Sequence, residues 1–485
     1  MKKLEEYLNE GKDIVDLTGY KRENWTIEDL IQLIRDNPNV TILKLADTDI
    51  SCEDLQLLIQ SGVLNDAIKE LDLSNNQLAD GDMSAIPFDE QFLSKLTVLD
   101  LHNNCMENDD VKVIVKSNLV QQLTNLDLSG NEIKDEGAEY IAEADFENLT
   151  KLNLASNSIG DKGSTAILTY GDLLNLEALD LSFNAITDQA MEDIKEYYNT
   201  RYGLLDRLQE LYLGANSITA EGVINLVNID DCFGNLHTLS FDNADCEDEF
   251  IGDEGVKAIV NSEGFSDLIH LSLAAQGITG TGAKYIAESE NLDNLEVLDI
   301  QGNNIHDEGM RDIITSENLP KLKKLCFAGN AIYPTMVMKV KEWGVDKGIE
   351  TSFDENLDKL LEAIYNEPSS LMDIIFQLCE VEVKQKIGEK EIVVKPGIVY
   401  ARHILDHPER YPLDINDESQ GHSLDDLYDQ HPYLQTLLET RFPDHKFVDN
   451  EFFDRQLSSQ FASLSPLDDN DSDSGSDILG EISEH

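Results

Sequence analysis

The chain has 485 residues, 41% of them hydrophobic, and carries 96 acidic against 36 basic side chains for a formal charge of −60. So anionic a surface repels phosphate backbones and acidic lipid, which excludes nucleic-acid binding and points to a basic protein partner or to solubility alone. The six cysteines form no C-x-x-C pair, so a zinc site is not expected, and the usage fits a reducing compartment or buried single thiols.

The N-terminus, MKKLEEYLNEGK, has no apolar stretch behind its lysines, so no Sec-type signal peptide is expected. No later stretch is apolar enough to span a membrane; the longest candidate, Leu371 to Val381, is broken by Asp373, Gln377 and Glu380. Residues 1–39 read as an N-terminal cap. Ile14 to Leu17 resembles a truncated strand, and Thr26 caps an amphipathic helix with Ile27, Leu30, Ile31 and Ile34 on one face.

From Val40 an internal repeat begins. Its first apolar positions are Val40, Ile68, Leu96, Leu123, Leu149, Leu176, Leu208, Leu236, Leu268, Leu295 and Leu322, at intervals of 26 to 32 residues. The copy LTNLDLSGNEIKDEGAEYIAEA shows the pattern: Leu123, Leu126 and Leu128 precede Asn131, Ile133 follows it, and Ala138, Ile141 and Ala142 then mark one face of a short helix. Eight copies carry Asn at the same place, while Thr48, Ala244 and Gln276 stand there in the others. A carboxamide suits a tight strand exit because it offers donors and an acceptor together. Glycine precedes the helix in six copies, from Gly137 to Gly309, where a Cβ would obstruct packing or an unusual turn. Asp135, Asp161, Asp188, Asp253 and Asp307 lie close before the helices and suit their N-terminal caps and dipoles.

These copies resemble leucine-rich repeats of the ribonuclease-inhibitor-like type, the class shared with Ran GTPase-activating proteins and many bacterial leucine-rich-repeat proteins. The resemblance implies an α/β solenoid over residues 40–350, a right-handed horseshoe with a parallel sheet on the concave side and helices outside. Two copies are longer: one holds Tyr197, Tyr198, Arg201 and Tyr202, and the other holds the insertion DNADCEDEFIGDEG. Pro334 to Trp343 reads as a closing helix with Met336, Val337 and Val340 inward and Gly344 near its end.

Residues 351–460 read as a small α+β module, with VEVKQKIGEKEIVV as a hairpin, and residues 461–485 as an acidic disordered tail. This tail and the Lys-rich, Arg-poor repeats also resemble effector proteins of intracellular bacteria with type IV signals. The expected location is therefore the cytoplasm, or a host cytosol after secretion.

The strand residue between the second and third apolar positions faces the concavity. Across copies it includes Asp72, Asp100, Asp127 and Asp180, with Tyr212 further along. Neighbouring strands hold such residues about 5 Å apart, which makes an anionic ladder. Two readings of the ladder stand together: Asp is common at this place in the repeat family, and a row of Asp fits Lys or Arg of a partner. Phe183 and Tyr212 would serve as aromatic anchors, with His102, Glu210 and His270 tuning partner choice. A monomer that binds a protein partner, without cofactor or metal, is the expectation.

Catalytic motifs do not assemble. No Arg lies between Arg35 and Arg201 to act as an arginine finger, so GTPase-activating chemistry is not expected. His403 and His407 stand four apart, but Ile404 occupies the place of the zincin glutamate. Cys379 precedes Glu380 and Val381, which is not the C-x-D motif of bacterial leucine-rich-repeat ubiquitin ligases. Gly277 to Gly282 lacks a following G-K-[ST], and Asp469, Asp471 and Asp473 lack the glycine and glutamate of a calcium loop. The alternatives from other classes are an enzyme whose chemistry sits in residues 351–460, targeted by the repeats, and a cytoplasmic scaffold.

Overall fold

The computed structural model describes residues 4–353, apart from 65–66, 77, 89–92, 170–172, 174, 199–203, 230–231, 244–249, 331 and 333, together with the strand pair 383–387 and 390–394. Thirteen three-residue strands form one parallel sheet whose order follows the chain. They are β1 Ile14–Asp16, β2 Ile42–Lys44, β3 Glu70–Asp72, β4 Val98–Asp100, β5 Asn125–Asp127, β6 Lys151–Asn153 and β7 Ala178–Asp180. The series continues with β8 Glu210–Tyr212, β9 Thr238–Ser240, β10 His270–Ser272, β11 Val297–Asp299, β12 Lys324–Cys326 and β13 Glu350–Ser352. Two of these, β1 and β13, lie outside the eleven copies counted from Val40. The sheet is unclosed, and most described connections carry a helix, which makes the array an α/β solenoid.

The register pairs equivalent positions of every copy: Leu71, Leu99, Leu126, Leu152, Leu179 and Leu211 stack in line. All six are buried, as are Ile114, Ile141, Ile167, Ile194 and Leu226 on the helices behind them. No copy covers its own apolar stripe; each is covered by the copies on either side. In the copy that follows β3, the described residues form two short 3-10 turns, Leu78–Asp80 and Met83–Ala85.

The repeat asparagines tie one copy to the next. Asn131 is buried, and its Oδ1 accepts from the backbone N–H groups of Asn104 and Met106 at 3.0 Å each, in the preceding copy. Its Nδ2 donates to the carbonyls of Leu101 and Leu128 at 3.1 and 2.9 Å. Asn76, Asn104, Asn216 and Asn303 make equivalent bonds to a neighbouring copy. Gln276 takes the place by the same chemistry, accepting from Ile251 N and donating to Phe241 O. Thr48 covers only part of it: its hydroxyl donates to Leu45 O, and its own N–H goes to Asn76.

A second tie joins the helix starts, and it corrects the expectation for the aspartates there. The carboxylates of Asp135, Asp161, Asp188 and Asp253 reach the next copy. Asp188 accepts from Thr219 N, Thr219 Oγ1 and Gly222 N at 2.8, 2.6 and 2.9 Å. Asp253 holds Thr279 and Gly282 in the same way, and Asp135 accepts from Gly160 N and Gly163 N. The glycine follows from this contact. A Cβ on Gly222 would lie 2.3 Å from Asp188 Oδ1, and one on Gly282 would lie 2.5 Å from Asp253 Oδ1.

At the ends, Thr26 and Asp29 form a capping box on helix Ile27–Asp36. The closing helix runs Pro334–Lys347 with Met336, Val337 and Val340 buried. Gly344 lies in the last turn of this helix, near its end as expected, where Thr351 and the Ile349 carbonyl leave no room for a Cβ. The hairpin expected near residue 385 is present as antiparallel strands Val383–Ile387 and Lys390–Val394. The remaining features read from residues 354–485, including His403, His407 and the tail, lie outside the described residues.

Replacing Asn131 with Ala strands two buried backbone N–H groups, each worth about 1–2 kcal/mol. Asn131→Ala should therefore lower stability by about 2–4 kcal/mol, read as an earlier urea midpoint. An unchanged midpoint would show that the ladder contributes nothing.

Candidate functional site

The site is built by the third residue of each strand. Register pairing places Asp72, Asp100, Asp127, Asn153, Asp180 and Tyr212 in one row on adjacent strands. Each is partly exposed while the leucine before it is buried, as alternation along a strand requires.

The row does structural work first. Asp72 Oδ1 accepts from Ser74 N and Oγ at 3.0 and 2.7 Å, and Asp127 Oδ1 from Ser129 N and Oγ at 2.9 and 2.6 Å. Asp180 bonds Ser182 in the same way, and Asp299 bonds Gln301 N. An aspartate that turns back onto the N–H two residues ahead fixes the bend where the chain leaves the strand. This explains why Asp recurs here whatever the chain binds.

One carboxylate oxygen carries that bend, and the second is left for other contacts. Asp127 Oδ2 accepts from Asn153 Nδ2 at 2.9 Å. Burial holds the carboxyls of Asp100 and Asp180 above the usual carboxylate range, and the charge of Asp127 adds to the rise in both. Burial likewise raises Asp299. Tyr212 Oη donates to Glu210 Oε2 at 3.1 Å; burial first, and then the Glu210 charge, pushes its hydroxyl up to about 12.

A depression of about 310 Å³ opens on the strand face from β4 to β8, lined by Asp100, Asp127, Asn153, Asp180 and Tyr212 together with Lys151. Of the residues predicted from the sequence, the structure thus brings together Asp100, Asp127, Asp180 and Tyr212. Asp72, His102, Phe183, Glu210 and His270 lie outside its lining. Asn153 was the contributor least visible in advance, because its importance lies in the Asp127 contact across the strand gap. The Tyr198 ring of the long copy is buried, with its hydroxyl donating to Leu168 O and accepting from Leu205 N, so it serves packing and not a binding loop.

Phe183 has a different distinction. The residue before each repeat asparagine adopts the left-handed region: Asn75, Asn103, Gly130, Ser156, Phe183, Ala215, Gly302 and Gly329 have φ between +49° and +70°, and Ala275 before Gln276 has +54°. Asn and Gly tolerate this conformation, whereas a bulky side chain is strained there. Phe183 is also 42% exposed. The fold asks for the conformation and does not ask for the ring.

A leucine-rich-repeat family model matches residues 67–86, 121–142, 147–168, 173–195 and 292–313. These repeats are leucine-rich repeats. Among solved structures, an internalin (inlF) from Listeria monocytogenes str. 4b F2365 is similar, with 18% identity and a TM-score of 0.36. The match covers 68% of this chain and 94% of that one. No curated protein matches the chain. Among the described residues, no helix of this leucine-rich-repeat protein is long and apolar enough to cross a membrane. Cys52, Cys232 and Cys326 are buried, while Cys105 is exposed.

The raised carboxyls set a pH dependence. A group whose folded pKa lies above its unfolded value adds stability that is complete below the unfolded value and is lost as pH rises through the folded one. Asp100, Asp180 and Asp299 should therefore add stability as pH falls from about 7 into the carboxylate range. Asp180→Asn, which keeps an acceptor for Ser182, should show a smaller gain than wild type when urea midpoints at about pH 7 and about pH 5 are compared. Equal gains would remove Asp180 from the account.

Proposed function

We propose that the chain is a protein-interaction module that binds a partner with a basic surface through its strand face. The observation that carries this reading is Phe183, an exposed aromatic ring at a left-handed position where the other copies hold Asn, Gly, Ser or Ala. Strain kept without a structural return suggests a use. The carboxylates of Asp100, Asp127 and Asp180 around the depression supply the charge a Lys or Arg side chain requires, and Tyr212 offers a flat apolar wall beside them. Affinity comes from such buried anchors, and the net charge of −60 speeds encounter. The chain acts as a monomer in this reading, with Glu210 and His270 at the margins of the contact.

The test is capture on immobilised full-length chain, comparing wild type with Phe183→Gly and with Asp127→Asn/Asp180→Asn. Each variant should lose at least about tenfold in recovery of the partner, and binding should weaken with salt. Phe183→Gly should melt within about 1 kcal/mol of wild type, because it relieves a strained φ. Unchanged recovery by both variants excludes the strand face as the binding surface.

The resemblance of residues 461–485 to type IV secretion signals supports delivery into a host cell as the setting for this binding. A translocation reporter lacking residues 465–485 should then fail to be delivered. Undiminished delivery would remove the tail from the proposal.

A further inference from the structure

The strand-face row holds one residue that its neighbours do not explain. Two positions after the row aspartate, the copies of β3, β5 and β7 place Ser74, Ser129 and Ser182, whose hydroxyls donate to that aspartate. The copy of β4 places His102 there instead, and its Nδ1 stands 2.8 Å from Asp100 Oδ1. The bend itself is intact, because the His102 N–H still donates to Asp100 Oδ1 at 3.0 Å. Serine would have served the fold equally well.

The substitution brings a nitrogen ligand beside two carboxylates. Asp100 and Asp127 are register partners on adjacent parallel strands, and His102 shares their face. One donor atom from each of the three lies within 4.8 Å of the other two. From this arrangement we propose that Asp100, His102 and Asp127 bind one divalent transition-metal ion of the zinc class, leaving its remaining coordination positions open to the concave face.

Zinc bonds of about 2.0–2.2 Å in a tetrahedron require donors about 3.4 Å apart. The His102–Asp100 pair, hydrogen-bonded at 2.8 Å, opens by about 0.6 Å to reach that span, and side-chain rotation brings Asp127 in. Hydrogen bonds already order the three side chains near one another before any ion arrives. Asp127 is fixed by Ser129 and Asn153. His102 Nε2 meets Asn75 Nδ2 at 3.0 Å, and Asn75 in turn takes a hydrogen bond from Asn103 Nδ2 at 3.0 Å. The Asn103 bond sets the Asn75 carboxamide with Nδ2 toward the ring, so Nε2 accepts, Nδ1 carries the proton toward Asp100, and an ion at Nδ1 displaces that proton. An imidazole ligand selects zinc-like ions over magnesium and calcium, which prefer oxygen. Asp100 and Asp127 place two like charges on adjacent strands, and a cation between them relieves their repulsion. Asp100 and Asp127 also belong to the partner reading, but the ion is measurable without any partner, so the two readings fail separately.

The deciding variant is His102→Ser, which restores the residue of the neighbouring copies and their hydroxyl bond while deleting the nitrogen ligand. Zinc titration of full-length chain by calorimetry, in excess magnesium to occupy diffuse acidic sites, should show one fewer tight ion per chain in His102→Ser than in wild type. Asp127→Asn should weaken the same ion by roughly 10–100-fold. Cobalt loaded in place of zinc should give visible d–d bands in wild type that both variants lose. Equal zinc stoichiometry and affinity in wild type and His102→Ser overturns the proposal, as does complete displacement of the ion by magnesium, which marks diffuse attraction by an acidic surface only.

Discussion

Most copies of this solenoid leave a strand through a bend whose backbone groups have no sheet partner, and a buried or half-buried carboxamide satisfies them. Asn131 shows why the interaction governs the rest. Its oxygen takes two N–H groups from the copy before it, and its nitrogen supplies carbonyls in both copies. A hydrogen bond inside one copy would stabilise only that copy. These bonds cross the boundary, so they fix the spacing and register that let leucines stack from strand to strand. Where the chain departs from Asn, Gln276 keeps both functions and Thr48 keeps one.

The outer side is joined by the same logic with different groups. The carboxylates of Asp135, Asp161, Asp188 and Asp253 hold N–H groups at the start of the next helix, where orphan donors and the helix dipole both favour an anion, and the Asn108 carboxamide does so one copy earlier. The glycine of the following copy leaves room for that carboxylate. Asp and Gly are therefore one feature read at two places.

That conclusion bears on the strand face. Aspartate there fixes the strand exit through one oxygen, so its recurrence alone says nothing about a partner. Information about function lies in the departures from the repeat. Phe183 accepts a conformation suited to Asn or Gly, and His102 stands where neighbouring copies use Ser. Both depart from what packing and hydrogen bonding demand at their positions, and both lie at or beside the row of carboxylates.

Period, strand positions, Asn spacing and the apolar helix faces were legible in the sequence because each copy repeats the same short-range pattern. The row of Asp72, Asp100 and Asp127 followed from alternation along a strand and needed no coordinates. What the sequence could not decide were interactions between residues about 25 to 35 positions apart, whose partners depend on how copies stack. The helix-start aspartates looked like caps of their own helices, since reach into the next copy is invisible in a linear pattern. Likewise only the tertiary structure gathered Asp100, Asp127, Asn153, Asp180 and Tyr212 around one depression and left Phe183 and His270 outside its lining. Local periodicity determined the kind of fold; the stacking of one copy on the next decided which side chains share a site.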